Sequence, residues 1–329
     1  SQTGEGSSAA DSQSVSQSQG NSGSSSESEA DTSQNAKPVT DYTTYVSNTV
    51  ISTGNNFYIE EAENITYRAY LPVEEYGELE YKFFFTNTVD STYAKGKIAY
   101  VGKSGGNYTI SNATVADGGT GVEDEITNRT PVTFGGETKK DVKPDESYTS
   151  DTVTINIPEG HYLVWEWTVS GKGIPCTKMA TLTSTTSSSD GTQFNYCDEI
   201  PLPLLIGAKR NVKHTLAAIG WARASDAAAN ESWLSRVSEY DTVIVAFGTN
   251  DIVSGKYGGK KSTAEEIEGY LDTIVSYLTE KGCDVILFNA PPQDFKETNE
   301  GIRTALNEKI PAIAEKYEAK FFDFSALLS

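Results

Sequence analysis

"VIVAFGTNDI", Val243 to Ile252, decides the fold of the C-terminal part of this chain. Five apolar residues run without interruption into Gly248-Thr249-Asn250-Asp251. A short strand that is apolar on both faces belongs to a covered parallel sheet rather than to a half-exposed antiparallel one. The glycine lets the chain leave the strand abruptly, and the polar pair then sits at the carboxyl edge, where open α/β sheets bind ligands. On these grounds Asn250 is a neutral donor for a developing oxyanion, and Asp251 a capping or orienting group. An ordinary polar turn explains the same four residues.

The pattern around this strand repeats. "ARASDAAANESWLSRVSEY" has helical character, and "STAEEIEGYLDTIVSYLTEKG" is a helix with Ser262 as its expected cap. "CDVILFNAPP" is a strand, "NEGIRTALNEKIPAIAEKYE" a helix, and "AKFFDFSALLS" a last strand with its exit. With "KHTLAAIG" as a first strand, the spacing predicts four parallel strands at about 213–219, 242–247, 284–289 and 320–324. The strand at 213–219 is expected in the interior. Right-handed crossovers then place Gly220, Asn250 and Pro291 along one crevice.

Upstream the pattern is different. "NITYRAYLP", "ELEYKFFFTN", "GKIAYVG", "TPVTFGG", "DTVTINIPEG" and "HYLVWEWTVSG" have strand lengths and are separated by Gly, Pro, Asn and Asp, which predicts an antiparallel β-sandwich. Residues 1–38 are Ser, Gln, Gly and acidic residues with almost nothing to bury, the composition of a disordered tether. The division is therefore 1–38 tether, 39–205 β-sandwich and 206–329 α/β domain. Trp165, Trp167 and Tyr162 could present aromatic rings to a sugar, but sandwich core on one face and strand packing on the other is the preferred reading. A Ser-rich arm at the start, after removal of a signal segment or within a fragment, is expected to hold the protein outside the cell or tethered to a bacterial surface.

The 329 residues carry a formal charge of −20, which disfavours nucleic acid and anionic membranes as partners. No apolar run reaches the roughly 20 residues of a membrane-spanning helix. Two histidines and three cysteines offer no zinc-ligand spacing, and neither a metal nor another cofactor is expected. Cys176 and Cys197 flank a Ser/Thr-rich loop and are either a disulfide or two thiols, while Cys283 is expected in the core.

"WARASDAA", then "GTNDI" after a strand, then "NAPP" after the next strand, resembles the SGNH (GDSL) hydrolase superfamily. "FFFTNTVDSTYAKG", "VTFGG" and "SDTVTINIPEGHYLVWEW" resemble the leading β-sandwich of its bacterial secreted branch. The resemblance implies a flavodoxin-like three-layer α/β fold and serine ester hydrolysis, with carbohydrate or a small ester as substrate. It implies that Asn250 and, less directly, Gly220 form the oxyanion hole. It supplies neither nucleophile nor base. The family's Gly-Asp-Ser and Asp-x-x-His blocks have no match here, and one strand-helix unit is short between Gly220 and Trp221. Ser225 reads as a helix-start residue, Asp251 and Asp323 as turn residues. His161 falls in the sandwich and His214 at the amino end of a strand. The chain is therefore expected to lack esterase activity as it stands. The other reading is a non-catalytic surface module that binds carbohydrate.

Overall fold

A computed structural model describes residues 41–91, 103–178, 184–211, 214–253 and 260–328. The tether at 1–38 and the strand expected in "GKIAYVG" lie outside the described residues.

The N-terminal part is antiparallel sheet. The strands used below are β1 (Phe57–Pro72), β2 (Gly77–Thr86), β3 (Tyr108–Asp117), β4 (Val153–Ile157), β5 (Tyr162–Lys178), β6 (Ser184–Ser188) and β7 (Leu205–Ala208). One sheet runs Val46–Ser47, β7, β2, β4; a second runs Asn195–Tyr196, β6, β1, β5, β3, Thr127–Pro131. One hydrophobic core contains side chains of both sheets. Phe83 of β2 meets Trp165 of β5 at 4.7 Å between ring centroids, and Phe85 meets Trp167 at 5.4 Å. Both tryptophans are buried, so they are core residues and offer no platform to a sugar.

The C-terminal part holds three parallel strands, β8 (Thr242–Val245), β9 (Asp284–Phe288) and β10 (Lys320–Phe322), in that order. Its helices are α1 (Ala224–Ala229), α2 (Glu231–Val237), α3 (Thr249–Ile252), α4 (Ala264–Glu280) and α5 (Glu297–Lys316). Ile267, Leu271, Ile274 and Leu278 of α4 recur at helical spacing and join Leu306, Ile310 and Ile313 of α5 over Val245, Val285 and Leu287. The cap of α4 is Thr263, one residue after the expected Ser262. Thr263 Oγ1 accepts the Glu266 N–H, and the Glu266 carboxylate accepts the Thr263 N–H.

The sheet departs from expectation at its first strand. Residues 214–219 form no strand, and the described sheet has three members rather than four. The cause lies in what this segment touches. Ser52 Oγ donates to the Ala218 carbonyl at 2.8 Å, Trp233 Nε1 donates to the Ala217 carbonyl at 3.1 Å, and Thr215 Oγ1 receives the Tyr240 hydroxyl at 3.0 Å. The side chains of Ser52 and Trp233 satisfy two backbone carbonyls that a ladder would otherwise use. β8 is consequently the edge of its sheet, with Ile244 58% exposed.

Candidate functional site

Two loops meet at the carboxyl end of β8. Gly248 turns the chain at φ +116°, and a Cβ there would stand 2.8 Å from Leu306 Cδ2. Glycine is required on both counts. The turn delivers Asn250 and Asp251 against the segment Trp221–Ser225. Asn250 Nδ2 donates to the Ala222 carbonyl at 2.9 Å. Asp251 is fully buried; its Oδ2 accepts the Ala224 N–H at 2.8 Å and its Oδ1 the Ser225 N–H at 3.3 Å. These are donors of the first turn of α1, so Asp251 caps that helix from a distant loop. Burial pushes its carboxyl up to about 6, against the pull of those two N–H groups.

Ser225 therefore stands in the first turn of α1, as its sequence context indicates. Asp226 Oδ2 accepts the Arg223 N–H at 2.9 Å in the same turn. Trp221 holds φ +64°, so the left-handed position falls on a tryptophan rather than on the neighbouring Gly220.

Beside β8 lies a cavity of about 660 Å³. Asn250, Thr249 and Gly248 line one part of it, and Ile219, Ala222 and Trp233 another. Gly220 does not line it. Its carbonyl accepts Asn56 Nδ2 at 3.3 Å, which turns it toward the N-terminal sheets. Pro291 does not line it either. The crevice expected to join Gly220, Asn250 and Pro291 is thus a cavity that only Asn250 of the three borders. The cause is the position of 214–219: lying outside the sheet, it carries Gly220 away from the strand ends.

The third loop, after β9, is tied to the exit of β10. Asn289 Nδ2 donates to Asp323 Oδ1 at 2.7 Å, while Asn289 Oδ1 accepts the Ser325 N–H at 2.8 Å. Hydrogen bonds from Asn289 and the Ala326 N–H hold the Asp323 carboxyl below its usual range. Asp323 is a turn residue, as expected.

Both histidines are engaged elsewhere. His161 Nδ1 lies 2.7 Å from Asp117 Oδ1 on the N-terminal sheets. His214 Nε2 lies 2.7 Å from Glu74 Oε2. His214 lines the far part of the cavity; its neighbour Thr215 bonds Tyr240, which precedes β8, so it stands at the amino end of that strand.

Two residues at this site were not singled out in the sequence. Asp90 is 1% exposed and lines the cavity, and Asn230 Nδ2 donates to its Oδ1 at 2.9 Å. Asn230 Oδ1 meanwhile accepts the Trp233 N–H at 2.9 Å and caps α2. The Asn230 cap in "AAANESW" was a usable signal. Asp90, 140 residues away, gave none.

Cys176 and Cys197 are free thiols, and Cys283 Sγ donates to the Ser238 carbonyl at 3.3 Å. Burial pushes both the Cys176 and the Cys197 thiol up. Among the described residues no group of His, Cys, Asp and Glu is arranged to hold a metal ion, and no helix is long and apolar enough to cross a membrane.

A family model described as GDSL-like lipase/acylhydrolase matches residues 188–329, which includes β7 and every element of the α/β layer. No curated protein matches the chain. Two solved structures are similar to parts of it. The psychrotrophic esterase EstA from Pseudoalteromonas sp., in a structure inhibited by monoethylphosphonate, is 16% identical over 33% of this chain and 55% of its own, with a TM-score of 0.27. Protein YXIM from Bacillus subtilis is 16% identical over 68% of this chain and 66% of its own, with a TM-score of 0.29. The chain thus spans about half of the first structure and just under two thirds of the second. By this match, residues 188–329 are similar to the GDSL-like lipase/acylhydrolases, which supports the resemblance to the SGNH (GDSL) hydrolase superfamily.

Proposed function

We propose that the C-terminal part is the acyl-transfer layer of an ester hydrolase that deacylates carbohydrate or small esters, and that Asn250 supplies an oxyanion donor. The observation that carries the reading is the Gly248–Asp251 turn. It closes a parallel strand inside the family-matched segment and leaves Asn250 half-exposed on the rim of a cavity. An amide nitrogen carries two hydrogens. One goes to the Ala222 carbonyl, and the second serves the oxyanion. Gly220 is a weaker candidate for the same role, because it does not line the cavity that Asn250 borders.

The same reading makes this chain inactive by itself. Ser225 sits in a helix start, His161 is paired with Asp117, and His214 stands at the opposite end of β8 from Asn250. Four residues of strand span about 13 Å, too far for His214 to take a proton from a group beside Asn250. The finer architecture belongs to this proposal too: a Ser-rich tether at 1–38, a β-sandwich at 39–205 and a shortened three-layer domain at 206–329, outside the cell or held at its surface. Its support is that the sheets and the α/β layer each have their own hydrophobic core.

The test is p-nitrophenyl acetate hydrolysis by the purified chain. The expected rate equals the spontaneous one. A rate well above it, abolished by a serine-directed phosphonate, would overturn the inactive reading and require another serine-base pair.

A second reading, a carbohydrate-binding module, is favoured by one feature. A cavity of about 530 Å³ on the N-terminal sheets is lined by Tyr70, Tyr162, Pro72 and Val122. Tyr162 is the aromatic of "HYLVWEW" that remains only half-buried. Retention on a polysaccharide column that Tyr162→Ala abolishes is the result this reading requires.

A further inference from the structure

One hydrogen bond fixes which backbone groups of β8 are open. The Asp284 N–H donates to the Asp241 carbonyl at 2.7 Å. Backbone groups alternate sides along a strand, so Asp241, Val243 and Val245 face β9, while Thr242, Ile244 and Ala246 turn their N–H and C=O groups outward. All three line the cavity of about 660 Å³, and those groups meet no hydrogen-bond partner among the described residues. The cavity follows β8 and its exit as far as Asn250, and the stretch 214–219 bounds it as well. Side chains alternate too. Val245 lies in the core and Val243 packs against it, whereas Ile244 is exposed.

Donors and acceptors at every second residue, along a largely apolar recess, match the backbone of an extended peptide. We propose that this cavity accepts one extended segment of a partner protein, which pairs with Thr242, Ile244 and Ala246 as a parallel fourth strand. A second copy of this chain cannot fill it through its own β8, because that strand is recessed in the same way. Charge and pattern give the partner's chemistry. The chain carries −20, and the exposed Asp241 and Asp284 stand at the amino ends of β8 and β9. A parallel segment with a lysine at its amino end meets these carboxylates. Alternating residues follow, apolar toward the helices and polar toward the open face. The test reads binding rather than turnover, so this inference and the hydrolase reading can fail separately.

The experiment uses the full chain and the peptide Lys-Val-Thr-Val-Thr-Val amide, with NMR titration for affinity and amide hydrogen exchange for location. Val243 turns its side chain to the helices and its N–H to β9; the valines of a parallel peptide likewise turn their N–H groups to β8, and the threonines turn theirs away. N-methylation of the valines therefore removes the ladder, and N-methylation of the threonines does not. The plain peptide is expected to bind at millimolar concentration or below and to slow exchange at Thr242, Ile244 and Ala246. The valine-methylated peptide should bind at least about ten-fold more weakly, and the threonine-methylated one within about three-fold of the plain peptide. Ile244→Pro removes an outward donor that β9 does not use, a change that edge strands tolerate, and should abolish binding. No binding at millimolar concentration, equal affinities of the two methylated peptides, a preference for the valine-methylated one, or unchanged binding by a folded Ile244→Pro chain would each overturn the proposal. So would self-association that slows the same three amides and that the peptide does not displace. Should Ile244→Pro fail to fold, the two methylated peptides on the unaltered chain still decide it.

Discussion

Asp251 reaches out of the turn that follows β8 and receives the backbone N–H of Ala224 at 2.8 Å, inside a site closed to solvent. Its neighbour Asn250 grips the Ala222 carbonyl at the same turn. Two adjacent side chains therefore hold the start of α1 against the end of β8.

This relationship sets a pH dependence. The Asp251 carboxyl stands at about 6 in the folded chain and near 3.8 when unfolded. A folded value above the unfolded one means the native state holds the proton more tightly. The associated stability is fully present below about pH 3.8 and lost as pH rises through 6. The loss has an upper limit of roughly 3 kcal/mol. Asp251→Asn should flatten this slope between pH 4 and 7 in urea titrations. An unaltered slope would assign it to other groups.

Gly248→Ala should destabilise the chain by about 2 kcal/mol or more. It forces a side chain into φ +116° and a methyl group to within 2.8 Å of Leu306 Cδ2. Thermal unfolding measures this directly. A change under about 0.5 kcal/mol, the ordinary scatter of surface substitutions, would mean the turn can relax.

Asn230→Ala removes the cap of α2 and the amide that serves Asp90. The cap contributes about 1 kcal/mol and the buried carboxylate's lost donor about 1–3 kcal/mol more. Asn230→Asp keeps the cap but sets a second carboxylate against Asp90. It should be milder at pH 4 than at pH 8, which chemical denaturation at the two pH values can check.

The three thiols should separate by exposure. Cys197 is half-buried, whereas Cys176 and Cys283 are buried. A thiol reagent such as dithiobis-nitrobenzoate should modify Cys197 first in the folded chain, and the other two only after unfolding. Simultaneous reaction of all three would contradict the burial described above.

The strands and helices of the α/β layer were legible because each carries its own periodicity: "DTVIVAFG", "CDVILFNAPP" and the α4 stripe needed no distant partner to be read. "KHTLAAIG" has the same local character, yet 214–219 is no strand. Strand formation there depends on a neighbour for its ladder, and Ser52, Trp233 and Tyr240 engage the segment instead. The tryptophans of "HYLVWEW" alternate as a strand must, but which face is core depends on β2, far off in sequence. At the site, Asn250 and Asp251 were visible as a turn. Their contacts with Ala222 and Ala224, and the arrival of Asp90 on Asn230, are tertiary and leave no periodic trace.

The open edge of β8 also bears on colloidal behaviour. Ile244 stands exposed on a strand whose outer backbone groups face no neighbouring strand among the described residues, the kind of template on which other chains can pair. Mutual repulsion between molecules of charge −20 keeps such edges apart at low ionic strength. The screening length shrinks from about 10 Å in 0.1 M salt to about 3 Å in 1 M. Concentrated salt therefore strips away the repulsion that guards this edge, and the protein should be easiest to keep dispersed in dilute buffer.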